Sequence, residues 1–309
     1  MFEDLFSNEG LSLERLHTLL KFSEAGSLIQ AAKRDLGKQS RLSHHLRELS
    51  EYFGVELTER DGKSIKLTEA GKSLVQIARE NFLALQAFRS QSAQTIPTLR
   101  VAAGDSLTQW LLVPAIGRLR RPSNPVRFQL SNLRTKDIIA HLKDRRVDFG
   151  LLRSDAMETP LKHVPICEQR YAIFVPQRLV SSRGLLMVKD ALLNCPHAAI
   201  GGDGQLMARL KALAEKQGGV FNPELVCDSI GQCVAAVKTG AFASVLPVQA
   251  WPSSSEKDYV VVEDSSLDGL SRKIVLAWHP RTAEVFGAAG RKIQQSFTEC
   301  LKAQGAVSF

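Results

Sequence analysis

The chain has 309 residues, 44% of them hydrophobic and 23% charged, with a formal net charge of +8 at pH 7. That is the composition of a soluble globular protein of two to three domains, with ample chain for buried cores. No apolar run reaches the roughly 18 residues that span a membrane, and the acidic start Met1-Phe2-Glu3-Asp4 is unlike a secretory signal, so the expected location is the cytoplasm.

The five cysteines (Cys167, Cys195, Cys227, Cys233, Cys300) are odd in number and lack CxxC or ligand-like spacing. A disulfide framework or a zinc site is therefore not expected. Cys227 and Cys233 are close enough in sequence to form a thiol sensor; buried free thiols are the plainer reading. The basic excess is unevenly placed. Residues 1–95 hold 13 Lys+Arg and 13 Asp+Glu, whereas 96–309 hold 27 basic and 19 acidic residues. Nucleic-acid affinity in the N-terminal part must then come from local arrangement, because phosphate contacts act within a screening length. Much of the C-terminal excess lies between Arg118 and Arg146, as a solvated or subunit-facing surface or as a second contact with bent DNA.

In chain order, Leu13, Leu16 and Leu20 mark the apolar face of a first helix (i, i+3, i+7). Gly26 then Ser27 supply a helix stop and an N-cap, and a short helix with Leu28, Ile29, Ala31 and Ala32 follows. Gly37 is expected to turn the chain, and Lys38-Gln39-Ser40-Arg41-Leu42-Ser43-His44-His45-Leu46-Arg47 to open another helix. This is the spacing of a helix-turn-helix, whose second helix enters the DNA major groove. At about 100° per residue, Leu42, Leu46, Leu49 and Phe53 form a buried stripe. Ser40, His44 and Arg47 lie opposite, flanked by Arg41 and Glu48, where they can meet base edges and phosphates. Asp61-Gly62 is a tight hairpin signal between Leu57-Thr58-Glu59-Arg60 and Ser64-Ile65-Lys66-Leu67. A hairpin after a helix-turn-helix, with Arg60, Lys63 and Lys66 about its turn, reads as a wing.

Gly26-Ser27, Ala31-Ala32, Gln39-Ser40, Ser43, Leu46 to Leu49, Phe53-Gly54-Val55, Leu57, Arg60 and Leu67-Thr68-Glu69-Ala70-Gly71 resemble the N-terminal signature of LysR-type transcriptional regulators. The chain departs from that pattern at Asp35 (usually a buried Leu), Ser40 (commonly Pro), Thr58 (commonly Phe) and His44-His45 (usually Arg-Gln). The resemblance implies promoter DNA as partner, with Ser27, Gln39, Ser40, Arg41, Ser43, His44, Arg47, Arg60, Lys63 and Lys66 as the DNA-facing set. It implies RNA polymerase as a further partner.

Thr68 can cap a long helix through Leu74, Ala78, Phe82, Leu85 and Phe88 to about Ser92. At 1.5 Å per residue, roughly 25 residues span about 37 Å, and such a helix packs either on its own domain or on a partner helix. The resemblance implies the latter, joining winged helices into a homodimer or homotetramer through Leu74, Ala78, Phe82 and Leu85. A Gln/Ser-rich break, Gln91 to Pro97, closes this part.

Beyond it, short apolar strands are expected at 99–103, 126–130, 147–152, 171–176, 197–200, 225–228, 242–246, 259–263 and 273–278. Helices are expected at 107–121, 135–145, 205–217, 230–240 and 282–303. The alternation predicts an α/β unit with parallel sheets covered by helices. Leu99-Arg100-Val101, Gly104-Asp105-Ser106, Leu112-Val113-Pro114, Val147-Asp148-Phe149-Gly150, Val237 to Gly240 and Val245-Leu246-Pro247 also resemble the effector-binding half of LysR-type regulators. This implies a two-lobed, Rossmann-like domain of the periplasmic-binding-protein type, with hinge crossings near Glu168 and Arg272. The expected organisation is a winged helix at 11–68, a linker helix at 69–95 and an effector domain at 96–309. Lobe one takes about 98–167 and 273–309, and lobe two about 168–272.

Ligands of open α/β sheets sit where strands end and helices begin. Here those points carry Ser106 and Thr108, then Thr135, Asp203 and Ser229, each with plain helix capping as the alternative. Arg134 and Arg153 nearby suggest an anionic, carboxylate-like small-molecule effector. An enzyme is disfavoured. Gly202-Asp203-Gly204 lacks the third glycine of a dinucleotide fingerprint, and there is no GxxxxGK[ST] loop, GxSxG elbow or HExxH helix. No catalytic residue, metal or cofactor is therefore expected. A ligand-independent C-terminal half that serves only assembly is the alternative to a sensor.

Overall fold

In the computed structural model, which describes residues 3–5, 9–32, 35–61, 64–92, 96, 98–119, 126–181, 187–201, 205–250 and 258–306, helix α1 (Leu13–Ala25) begins where Ser12 accepts the Arg15 N–H. It stops at Gly26, whose φ of 71° is the left-handed cap. Ser27 accepts the Gln30 N–H and starts α2 (Leu28–Ala31). Helix α3 (Leu36–Phe53) opens two residues earlier than the expected Lys38. Asp35 accepts the Lys38 N–H at 3.1 Å and pairs with its ammonium at 3.2 Å, so Gly37 lies inside the first turn. The departure at Asp35 is thus an N-cap in place of a core leucine.

Strands β1 (Thr58–Asp61) and β2 (Ser64–Leu67) pair antiparallel as the wing, with Asp61 opposite Ser64. Gly62 and Lys63 lie outside the described residues. Thr68 then caps α4 (Glu69–Ser92) by accepting the Gly71 N–H at 3.0 Å. A Cβ at Gly71 would collide with the Leu57 carbonyl, so only glycine lets this helix start against the strand. Leu19, Phe22, Leu46, Leu49, Leu57, Leu74, Val75 and Ala78 form one buried cluster. Each of the larger side chains contributes about 1.5–3 kcal/mol by burial. Two expectations fail here. Phe53 is 37% exposed, because α3 ends at Gly54 before the core can cover it. Leu74 and Ala78, expected on a seam between chains, are buried in their own unit against α1, and Phe82 packs on the same cluster beside His17.

Across α1 and α3, Arg15 grips Glu48 with two hydrogen bonds, Nε to Oε2 at 2.8 Å and Nη2 to Oε1 at 2.6 Å. This fork is the strong form of an ion pair. It draws the Glu48 carboxyl down to about 2, helped by His44.

The chain divides into two units, Met1–Thr95 and Ile96–Phe309. In the second, β3 (Thr98–Ala103), β4 (Arg127–Asn132), β5 (Phe149–Arg153), β6 (Lys162–Gln169) and β12 (Arg272–Trp278) form a sheet ordered β4-β3-β5-β12-β6. A second sheet is ordered β10-β7-β11, from β7 (Tyr171–Pro176), β10 (Ser244–Pro247) and β11 (Tyr259–Val262). After α8 (Gln177–Ser181) and α9 (Val188–Asn194), the pair β8 (Ala198–Ile200) and β9 (Leu225–Cys227) adjoins it through a His197–Ala243 bridge. The expectation of parallel sheets holds only for β3 with β4 and β5 and for β8 with β9. In the first sheet β12 runs antiparallel to β5 and β6, because the chain leaves that sheet through β6 and returns through β12, and in the second sheet β7 runs antiparallel to β10 and β11. Apolar clusters cover both sides of each sheet, so the unit has two lobes. Helix α12 (Thr282–Gly305) buries Ile293, Phe297 and Leu301 on the first. Among the described residues no helix is long and apolar enough to cross a membrane.

Asp148 pins β3 beside β5. It accepts the Arg100 backbone N–H at 2.8 Å and two guanidinium bonds, with its side chain 7% exposed. Gly150 follows because a Cβ there would sit 2.5 Å from Ile138.

Removing one partner of a buried pair strands the other charge, so Asp148→Ala is expected to cost about 3 kcal/mol, read by denaturant unfolding of the full chain. For the Arg15–Glu48 clip, the sign follows from a depressed carboxyl. Its contribution is complete above about pH 4.5, the ordinary value, and fades as pH falls through about 2. Arg15→Met should therefore melt below the parent at pH 7, and the gap should close as pH drops below 4.5. Equal melting at pH 7 would remove the clip from the account.

Candidate nucleic-acid interface and effector cleft

Helix α3 presents Ser40, Arg41, Ser43, His44 and Arg47 to solvent, with Gln39 half-buried. Arg47 is 67% exposed and only loosely held, its Nε 3.8 Å from Glu51. The two histidines of the helix divide. His44 stays outward while its Nδ1 lies 3.0 Å from Glu48, and His45 turns inward, 2.9 Å from the Thr18 hydroxyl. Arg60 on β1 and Lys66 on β2 are also exposed, Lys66 beside Glu59 at 3.4 Å. Between α3 and the wing runs a groove of about 740 Å³ lined by Ser43, Arg47 and Arg60, but also by Glu51, Glu56 and Glu59. With two arginines against three glutamates its lining is net acidic, so phosphate affinity has to come from exposed side chains on its rims. Ser27 is occupied as a cap, and Lys63 lies outside the described residues.

In the second unit, Ser106 sits in the first turn after β3, in α5 (Asp105–Leu107), which continues through a π-turn (Thr108–Leu112) into α6 (Val113–Leu119). Ser106, Trp110, Gln169, Gln249 and Gln304 line a cavity of about 20 Å³, room for about one water. This cavity leaves little room as folded, with Trp110 packed on the core of the second lobe. Ser229 caps α11 (Ile230–Lys238) by accepting the Gln232 N–H. That helix start faces Ser106's turn: a Cβ on Gly231 would lie 3.5 Å from the Gln109 amide. Thr135 opens α7 (Thr135–Lys143), near enough that a Cβ on Gly104 would meet the Leu133 carbonyl at 4.0 Å. Thr108 is spent on the Gly104 carbonyl, and Arg153 ends β5 with its Nε 3.6 Å from Asp155. Asp203 lies outside the described residues.

Sequence reasoning missed Gln169, Tyr171, Gln249 and Arg272. The signal was present, since Gln169 and Arg272 flank the expected hinge crossings and face each other in the β6–β12 ladder. Cys227 and Cys233 are buried, and burial, with Cys227 next to it, pushes the Cys233 thiol up to about 12. Thiolate, the reactive form, is then scarce at neutral pH, which leaves the plainer reading of buried thiols.

Two family models match the chain. Residues 13–72 fit the bacterial regulatory helix-turn-helix protein model of the lysR family, and residues 92–288 fit the LysR substrate binding domain. The regulator MetR of Haemophilus influenzae is 28% identical over 176 residues, covering 53% of this chain and 57% of that protein. The chain spans about half the length of the first curated relatives it matches. Among solved structures, ArgP of Mycobacterium tuberculosis superposes with a TM-score of 0.69 at 16% identity, over 97% of this chain and 99% of that one. CbnR complexed with its target DNA gives 0.59 at 18% identity, over 95% and 100%. At such identities these two likenesses speak for the fold alone. Taken with the family models, which cover both units, they leave one assignment: the chain belongs to the LysR family of bacterial regulatory helix-turn-helix proteins.

Proposed function

We propose that this protein is a sequence-specific, DNA-binding transcriptional regulator whose promoter binding or bending is modulated by a small-molecule effector. The observation that carries this reading is the pairing, in one chain, of an exposed helix-and-wing face with a two-lobed unit hinged on β6 and β12. CbnR was solved with its target DNA, which supports duplex DNA as the partner here. Ser40, Arg41, Ser43, His44 and Arg47 read bases and phosphates from α3, with Gln39 at its start, and Arg60, Lys63 and Lys66 hold the backbone from the wing. Ser27 positions α2 by capping it. In the second unit Ser106, Thr135 and Ser229 offer hydroxyls to the effector, Arg153 offers charge, and Thr108 borders the site; Asp203 lies outside the described residues.

The regulator works in the cytoplasm, as a homodimer or homotetramer, bound near RNA polymerase at its promoters, and it is not an enzyme. Assembly through α4 uses a face about 60° away from the expected seam. Ile77 is 54% exposed, Leu85 52% and Phe88 71%, whereas Leu74 and Ala78 serve the core. An assembly-only second unit finds no support in the effector-binding family to which it belongs.

Arg47→Ala should weaken operator affinity by about 1–3 kcal/mol in a gel-shift titration, with the melting curve unchanged. Unaltered affinity would take Arg47 out of the reading face. Ile77→Glu with Leu85→Glu should lower the mass measured in solution while keeping the helical signal. An unchanged mass would mean that α4 is not the contact.

A further inference from the structure

Three arginines converge where the chain passes between the lobes. Arg272 opens β12 opposite Gln169, and its guanidinium lies over the Tyr171 ring, 5.7 Å from the centroid. Its Nε is buried, and no described group accepts a hydrogen bond from it. Arg153 ends β5 opposite Ile274. Because Arg272 is two residues before Ile274, the two arginines project from the same face of adjoining strands, diagonal neighbours about 7–8 Å apart at Cα. The Arg153 side chain is 18% exposed, with Asp155 at 3.6 Å. Arg209 comes from α10 (Gln205–Lys216) in the second lobe and donates to the Gly269 carbonyl at 3.2 Å. The charges of all three act on the Tyr171 phenol.

Against these three positive charges stands Asp155, which lies 3.6 Å from Arg153 and acts on Arg272. Burial holds the Arg272 guanidinium below its ordinary value; Arg153 and Arg209 push the same way, against Tyr171 and Asp155. Like charges brought together in a half-buried place repel more strongly than in water. Gln169, 6% exposed, runs from this cluster to the Ser106 cavity, where the buried Gln249 Oε1 also finds no donor among the described groups.

We propose that Arg153, Arg209 and Arg272 seat a small dianion, a dicarboxylate or a phosphate ester, that bridges the two lobes. The inference rests on the reading of the second unit as an effector domain. Guanidinium forks match carboxylate and phosphate geometry. Arg153 belongs to one lobe and Arg209 to the other, so a bound dianion replaces their repulsion with a shared attraction and favours the closed hinge. That difference between hinge states is what couples ligand to regulation.

The test uses the full-length protein at fixed ionic strength, with succinate, inorganic phosphate, acetate and succinamide as probes. Thermal shift and calorimetry should show binding of succinate or phosphate, with acetate and succinamide weaker by about tenfold or more. Which of the two dianions binds more tightly separates a dicarboxylate from a phosphate ligand. Arg272→Gln and Arg209→Gln should each weaken that binding at least about tenfold, whereas Arg178→Gln, an exposed arginine of the second lobe, should leave it intact. If Arg272→Gln fails to fold, Arg209→Gln carries the test. Equal binding of acetate, or dianion binding unchanged in both variants, overturns the proposal. A neutral ligand that alters DNA affinity without these arginines also overturns it, yet leaves the regulator reading standing. Loss of operator binding in every condition would contradict that reading instead, and dianion binding to the free protein would be unaffected.

Discussion

The pairing of β6 with β12 is the constraint on which the second unit depends. The chain crosses between lobes twice, and these two crossings lie side by side as one antiparallel ladder from Arg272–Gln169 to Trp278–Lys162. Backbone hydrogen bonds hold that ladder whatever the lobes do, so motion between lobes is confined to the few residues beyond its end. Those residues are Arg170 on one strand and Ser271 on the other, next to the ladder's last pair, Gln169 and Arg272. A shift between Ile274 and Val275 in the ladder lets Pro165 sit at the sheet's edge without breaking it. The position that must flex therefore adjoins the place where charge is concentrated.

In the first unit the decisive quantity is local charge. Residues 1–95 are neutral overall, and the acids of α3 are paired within the unit: Glu48 is gripped by Arg15, and Glu51 lies beside Arg47. Those pairings differ in kind. The Arg15–Glu48 fork fastens two helices, while the Arg47–Glu51 contact is long and exposed, of the sort that contributes little to stability. An exposed arginine with a weak partner can exchange it for a base edge at small cost.

Local structure was legible where a residue type has one local use. Gly26 and Ser27 end one helix and begin the next, Thr68 caps α4, and Ser229 caps α11, all as spacing implied. What depends on tertiary partners was not. β6 went unseen because Pro165 and its charged neighbours disguise an edge strand that exists only through β12. Sheet direction was misjudged because alternation cannot tell a crossover from a return. The apolar face of α4 was visible, yet which part turns inward depended on α1, so Leu74 and Ala78 were assigned to a partner chain. The exposed side of α3, with Ser40, Arg41, Ser43, His44 and Arg47, was legible as a helix face. Ser106 was legible as a helix-start residue and lines the small cavity beside Gln169, while Gln169, Tyr171 and Arg272 become a cluster only when the two crossings are brought together.

The central claim is that charge at the hinge governs how the winged helix engages DNA. Footprinting of the purified protein on DNA flanking its own gene, with and without a saturating dianion, tests it most directly. The account predicts a discrete protected site whose length, or whose hypersensitive bend positions, change when the dianion is added. No protected site, or one identical in both conditions, would contradict it.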